Sequence, residues 1–201
     1  DLHSFPTRRS SDLQGPSNEK NIEYVEQIHG GGEYLLELIN QILNLTQIET
    51  GNIDVSQESV SPTVVVEEAI KMVASRAEEN KITLQNEASS ECPALWTDPL
   101  RFRQIMLNLL SNAVKYNNTN GEVIVSNDVA ENGCVRIKVT DTGPGIPPDK
   151  QDQLFQQFNR LGRESGDVEG SGIGLTIVKE LAVYLGGEIG FESEEGKGST
   201  F

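Results

Sequence analysis

The stretch Asp141-Thr142-Gly143-Pro144-Gly145-Ile146 decides how this chain is read, through the strand that leads into it. From Cys134 to Thr140 the residues alternate, Val135, Ile137 and Val139 on one face and Arg136, Lys138 and Thr140 on the other. A period of two marks a strand with one buried face. Asp141 continues the apolar face, so a carboxylate is aimed at the core where the chain breaks into a Gly-Pro-Gly loop. Such a group is costly to bury without hydrogen-bond donors. An Asp that merely starts a turn is the plain alternative. The rest of the chain argues against it.

Downstream lies Gly170-Ser171-Gly172-Ile173-Gly174-Leu175, followed by a helical pattern over Thr176–Leu185 with Ile177, Val178, Leu181 and Leu185 on one face. Glycines at a helix entry let backbone N–H groups approach a phosphate, and the helix N-terminus adds positive partial charge. The spacing is neither that of a dinucleotide fold nor that of a P-loop. Upstream, Asp98 and Pro99 form a natural helix start. Phe102, Ile105, Met106, Leu109, Ala113 and Tyr116 follow as a buried stripe. Asn108, Asn112 and Lys115 form a second, polar row beside it, at positions i, i+4 and i+7. Asn is a mediocre helix former, and a merely solvated face would favour Glu and Lys. Two carboxamides and an ammonium in one row suit a hydrated divalent cation and the phosphates it carries. A last glycine turn, Gly196-Lys197-Gly198-Ser199-Thr200, reads as a hairpin.

Taken in this order, the boxes resemble the histidine-kinase branch of the GHKL ATPases (the HATPase_c domain), over roughly residues 55–201. The resemblance implies that ATP and Mg2+ are the cofactors. Asn108 and Asn112 are similar to the asparagines of the family's N box. By that resemblance Asn112 holds the magnesium ion, with Asn108 a further candidate ligand, Lys115 contacts phosphate, and Tyr116 lies against the adenine. Asp141 resembles the adenine-reading aspartate, with Gly143 and Gly145 passing close to the base and Ile146 beside them. Leu154-Phe155-Gln156-Gln157-Phe158-Asn159-Arg160 resembles the box at the hinge of a nucleotide lid, giving Phe158 and Arg160 as candidates. Gly170, Gly172 and Gly174, with Ile173 and Leu175, match the second glycine box under the triphosphate. Gly198 and Thr200 match the last one. The run 160–171 is glycine-rich, with only Leu161 and Val168 as bulky apolar residues, and is expected to order around nucleotide.

The formal net charge of −15 argues against nonspecific nucleic-acid binding, which wants basic patches. A nucleotide site must therefore be built from local donors and metal. Cys92 and Cys134 lack metal-ligand spacing and are expected as thiols in a reducing compartment. No run approaches about eighteen apolar residues, so no span is expected in this chain. The resemblance places it in the cytoplasm, including as the cytoplasmic part of a membrane-anchored receptor.

Residues 14–51 have a different character. Ile22, Val25, Ile28, Leu35, Ile39, Ile42, Leu45 and Ile48 keep a three-four spacing over about eight helical turns. Asn18 starts and Gly51 stops the pattern. Gly30-Gly31-Gly32 interrupts it at about 1 kcal/mol per glycine, so a bend or fraying is expected there. By the resemblance, this is the second helix of a dimerisation and phosphoacceptor hairpin, which makes a homodimer through residues 18–50 and meets a response-regulator receiver domain. A linker helix packed on its own domain is the alternative.

Two features depart from the family. Neither His3 nor His29 has the acidic residue and nearby proline of a phosphoacceptor; His29 is followed by three glycines. No catalytic residue is therefore assigned. The run from His3 to Asp12 has no helical period and resembles the translation of a common sequencing adapter, so residues 1–13 are expected to be non-native, in place of the hairpin's first helix. Phe201 falls inside the expected last strand pair, and the domain is expected to be truncated there.

Short strands are expected over 55–60, 82–86, 94–97, 122–129, 134–140, 188–192 and 199–201. Helices are expected over 62–80 (Val64, Val65, Ala69, Met72 and Val73 inward), over 98–116, near 149–155 and from Ile173. The fold class is α+β: a two-layer α/β sandwich, a mixed sheet covered by helices on one face, preceded by one long amphipathic helix. The expected function is the ATP-binding catalytic region of a two-component sensor histidine kinase. A nucleotide-binding module without autokinase activity and a GHKL-type regulatory ATPase are the alternatives.

Overall fold

The computed structural model of the chain describes residues 17–50, 56–130, 133–159 and 171–201. The expectations for residues 1–13, for Glu131 and Asn132, and for the 160–170 run with Arg160 and Gly170 lie outside the described residues. The elements are α1 (Ser17–Glu49), β1 (Glu58–Val60), α2 (Pro62–Glu79), β2 (Thr83–Asn86), β3 (Leu95–Thr97), α3 (Pro99–Lys115), β4 (Glu122–Val129), β5 (Val135–Asp141), α4 (Pro148–Gln151), α5 (Gly174–Tyr184), β6 (Glu192–Glu194) and β7 (Gly198–Thr200). They group into two compact units, one ending at Ile42 and one spanning Leu43–Phe201.

In the first unit α1 runs through Gly30-Gly31-Gly32 without a break. Ile22, Val25, Ile28, Leu35, Ile39 and Ile42 are all exposed.

The larger unit is built on a five-stranded sheet ordered β2-β4-β5-β7-β6, with a separate antiparallel pair β1-β3. β2 runs parallel to β4, and the other neighbours in the sheet are antiparallel. This is the mixed sheet expected. Val123, Val125 and Val139 bury one face of the central strands against Met106, Leu110 and Val114 of α3 and Val66 and Ala69 of α2. A second cluster joins Leu45 and Ile48 of α1 to Ile173, Ile177 and Leu181, with Ile105 against it. The last turns of α1 therefore belong with the larger unit, because their apolar face is covered there.

Two details differ from the sequence reading. In α2 the buried stripe is Pro62, Val65, Val66, Ala69, Val73 and Ala77, whereas Val64 and Met72 are exposed. At about 100° per residue that stripe spans one face, and Val64 falls nearly opposite it. The last hairpin is also shifted: β6 begins at Glu192 rather than Glu188. Its register is fixed by the turn at Gly196, φ +82°, where Lys197 N–H donates to Glu194 O at 3.0 Å. Pairing of Glu194 with Gly198 follows.

Candidate functional site

The site begins with how α3 is anchored. Asp98 caps it: Oδ1 accepts from Arg101 N–H at 2.9 Å and Oδ2 from Ser56 N–H at 3.0 Å, which satisfies a carboxylate that is only 5% exposed. Phe102, Met106, Leu109, Leu110, Ala113 and Val114 are buried. That fixes the helix's rotation and leaves Asn108, Asn112 and Lys115 half-buried along the border of the core. The Lys115 ammonium lies 5.5 Å from the centroid of the half-buried Tyr116 ring.

Opposite this row stands the start of α5. A β-carbon added to Gly174 would have Asn108 Oδ1 at 3.9 Å and Asn112 Nδ2 at 4.0 Å as its nearest neighbours. The helix start at the second glycine box thus faces both carboxamides. Its first turn holds no acidic residue, and no side chain caps it. Such an N-terminus favours an anion. Ile173, by contrast, is wholly buried in the cluster with Ile177 and Leu181, and its N–H donates to Ser171 Oγ at 3.2 Å. Leu175 packs half-buried against the main core.

The Gly172 and Phe158 regions meet. Gly172 has φ +71°, and a β-carbon there would lie 2.8 Å from the carbonyl carbon of Phe158. Phe158 itself has φ +60°, a strained value for a bulky residue, and is 60% exposed. Thr176 Oγ1 donates to Phe155 O at 3.2 Å, tying the two boxes together.

Asp141 ends β5, paired with Val123 of β4 and Ser199 of β7. It is half-buried, and Oδ1 accepts from Gly143 N–H at 2.8 Å. Gly143 is buried; a β-carbon there would lie 2.6 Å from Tyr116 O, so the loop runs directly over the end of α3. Gly145, at φ +67°, is pressed against the carbonyl of Glu194. Ile146 N–H donates to Ser193 Oγ at 2.9 Å. Gln151 Nε2 donates to Ile146 O at 3.0 Å and to Ser193 O at 3.2 Å. Thr200 sits across from Thr140, their hydroxyls 3.0 Å apart, so it braces the strands beside Asp141.

The structure thus brings two sets together. Asn108 and Asn112 meet Gly174, and Lys115 and Tyr116 lead to the Asp141 loop. Sequence reasoning missed the residues that fasten this arrangement: Asn117, Asn118, Gln151 and Ser193. Only the Asn117-Asn118-Thr119-Asn120 run carried a signal, that of a turn. Among the described residues no cluster of His, Cys, Asp or Glu could hold a metal ion, and no helix is long and apolar enough to cross a membrane. Cys92 and Cys134 are thiols. Neutral carboxamides, an ammonium and an uncapped helix start are a donor set that fits a nucleotide whose phosphates carry a hydrated Mg2+.

Residues 97–201 match HATPase_c, the histidine kinase-, DNA gyrase B-, and HSP90-like ATPase family. The chain belongs to this family, and the matched region is its ATP-binding catalytic domain. Its curated relatives include the circadian input-output histidine kinase CikA of Synechococcus elongatus, 40% identical over 194 residues that cover 93% of this chain and 25% of CikA. The chain thus spans about a quarter of that relative's length. Among solved structures, full-length ShkA in complex with AMPPNP superposes with a TM-score of 0.77 at 32% identity, covering 90% of this chain and 38% of that one. The histidine kinase ThkA in complex with the response regulator protein TrrA has a TM-score of 0.71 at 20% identity, covering 94% of this chain and 52% of that one, a likeness of fold.

Proposed function

We propose that this region binds Mg-ATP as the catalytic part of a sensor histidine kinase, for transfer of the γ-phosphoryl group to a histidine nitrogen with release of ADP, and onward to a response-regulator aspartate. One observation carries the reading: a β-carbon at Gly174, the start of α5, would lie about 4 Å from the Asn108 and Asn112 carboxamides of α3, the helix whose end lies under the loop that follows Asp141. In this proposal Asp141 accepts from the exocyclic amine of adenine while Gly143 and Gly145 let the backbone pass beside the base. Asn112, with Asn108, holds the hydrated Mg2+. Lys115 and the first-turn amides of α5, at Gly174 and Leu175, hold the phosphates, and Tyr116 lies against the adenine. The site's work is positioning and charge neutralisation, which in phosphoryl transfer supplies most of the catalysis.

The CikA and ShkA likenesses support the kinase reading, and the fold shared with ThkA is compatible with a receiver-domain partner. His29 is followed by Gly30-Gly31-Gly32, which favours a second reading for these 201 residues taken alone: nucleotide binding without autophosphorylation. Titration calorimetry with Mg-ATP tests the site. Asp141→Asn should weaken binding about tenfold or more while preserving the fold, and Asn112→Ala should abolish the Mg2+ dependence of affinity. Unchanged ATP affinity in the first variant, or an unchanged Mg2+ dependence in the second, would reject the assignment. Supplying a phosphoacceptor helical bundle and labelled ATP separates the readings, since phosphohistidine is acid-labile and base-stable.

A further inference from the structure

The loop that carries Asp141 is held by two residues that none of the recognised boxes includes. Thr142 follows Asp141, and each of its polar groups is engaged. Its N–H donates to Glu122 O at 3.1 Å. Its carbonyl accepts from Asn118 Nδ2 at 2.8 Å. Its hydroxyl donates to Asn117 Oδ1 at 3.2 Å and accepts from Glu122 N–H at 2.8 Å. Asn117 in turn donates from Nδ2 to Glu122 O at 2.9 Å, and its Oδ1 also accepts from Asn118 N–H at 2.9 Å. The pair sits immediately after Tyr116, where α3 ends, and a β-carbon added to Gly143 would lie 3.3 Å from the Asn117 Cα.

We propose that Asn117 and Asn118 are positioning residues for base selection, clamping Thr142 so that the Asp141 carboxylate is held in register with α3. The inference rests on the adenine-reading role proposed for Asp141. A carboxylate reads an amine only from a position fixed to a fraction of an ångström, and a loop free to drift loses that reading before it loses the phosphate contacts. Asparagine suits the task because one amide both donates and accepts. At 117 it bridges a hydroxyl, an N–H and a carbonyl; at 118 it reaches the carbonyl that follows Asp141. The clamp also links the helix bearing Asn108, Asn112 and Lys115 to the loop bearing Asp141, fixing the span between base and phosphates.

The test compares binding of Mg-ATP and Mg-inosine triphosphate, which lacks the exocyclic amine, to the full 201-residue chain. Asn118→Ala should weaken ATP binding about fivefold, leave inosine triphosphate binding within about twofold, and so lower the ATP preference. Asn117→Ser, which retains a short polar group, should act in the same direction. In the Asp141→Asn background, neither change should lower the preference further. A purely structural role would weaken both nucleotides alike, and that result overturns the proposal. If Asp141→Asn lowers the preference and Asn118→Ala does not, the clamp alone is refuted. If Asp141→Asn leaves the preference unchanged, the adenine reading fails and the clamp with it.

Discussion

Glycines at this site differ in what surrounds them, and that difference can be measured. A methyl group on Gly143 would meet Tyr116 O at 2.6 Å and Asp141 Oδ1 at 2.7 Å. Gly143→Ala must therefore push the loop off α3, and a shift of about 1 Å in a recognition group can cost a hundredfold. ATP affinity should collapse while the circular dichroism stays native. At Gly174 the nearest atoms are 3.9 and 4.0 Å away, ordinary contact. Gly174→Ala should leave stability within about 1 kcal/mol yet crowd the gap to Asn108 and Asn112, weakening nucleotide alone. The loss at Gly174 should be much the smaller of the two, and equal losses of ATP affinity in the two variants would contradict this geometry. On the far end of the β4–β5 pair, a 2.6 Å ion pair to Lys138 holds the Asp128 carboxyl below the usual carboxylate range, chiefly through the hydrogen bond from Lys138, aided by the charges of Lys138 and Arg136. A carboxyl depressed in the folded state stabilises above its unfolded value and loses that contribution as pH falls through the folded one. Asp128→Asn should thus lower Tm slightly at neutral pH, less so in high salt, and not at all in strong acid. A Tm difference that persists in acid would count against the pair.

At the scale of elements, the end of α1 and the start of α5 form one apolar cluster. Ile48 is 7% exposed, against Ile173, Ile177 and Leu181, which are essentially buried. Ile48→Ala should cost about 2–4 kcal/mol in urea unfolding, whereas exposed Ile28→Ala should change little. Parity between them would show that the cluster does not form. Helix α1 also illustrates what a local pattern conveys. The three-four spacing from Ile22 to Ile48 defined the helix, which continues through Gly30-Gly31-Gly32. In α2 the helix was legible and its inward face was only partly so: Val64 and Met72 are as apolar as Val65 and Val73, and only packing against α3 and β2 separates them.

At the scale of the whole molecule, the exposed apolar row Ile22, Val25, Ile28, Leu35, Ile39 and Ile42 exceeds what scattered surface residues require. Self-association through it is the expected outcome. Sedimentation should report a dimer that Ile28→Glu with Leu35→Glu converts to monomer, and a monodisperse monomer at high concentration would contradict this. Composition, period and spacing were enough to define the strand ending in Asp141, the capped helix with its carboxamide row, and the glycine entries, because each is a pattern within a few consecutive residues. What lay beyond reach was everything made by residues far apart in the chain. The approach of Gly174 to Asn108 and Asn112, the hold of Asn117 and Asn118 on Thr142, and the grip of Ser193 on Ile146 exist only once the sheet and helices have packed. A hydrogen bond spanning 24 or 47 positions leaves no periodic trace, since it depends on where folding carries the two ends.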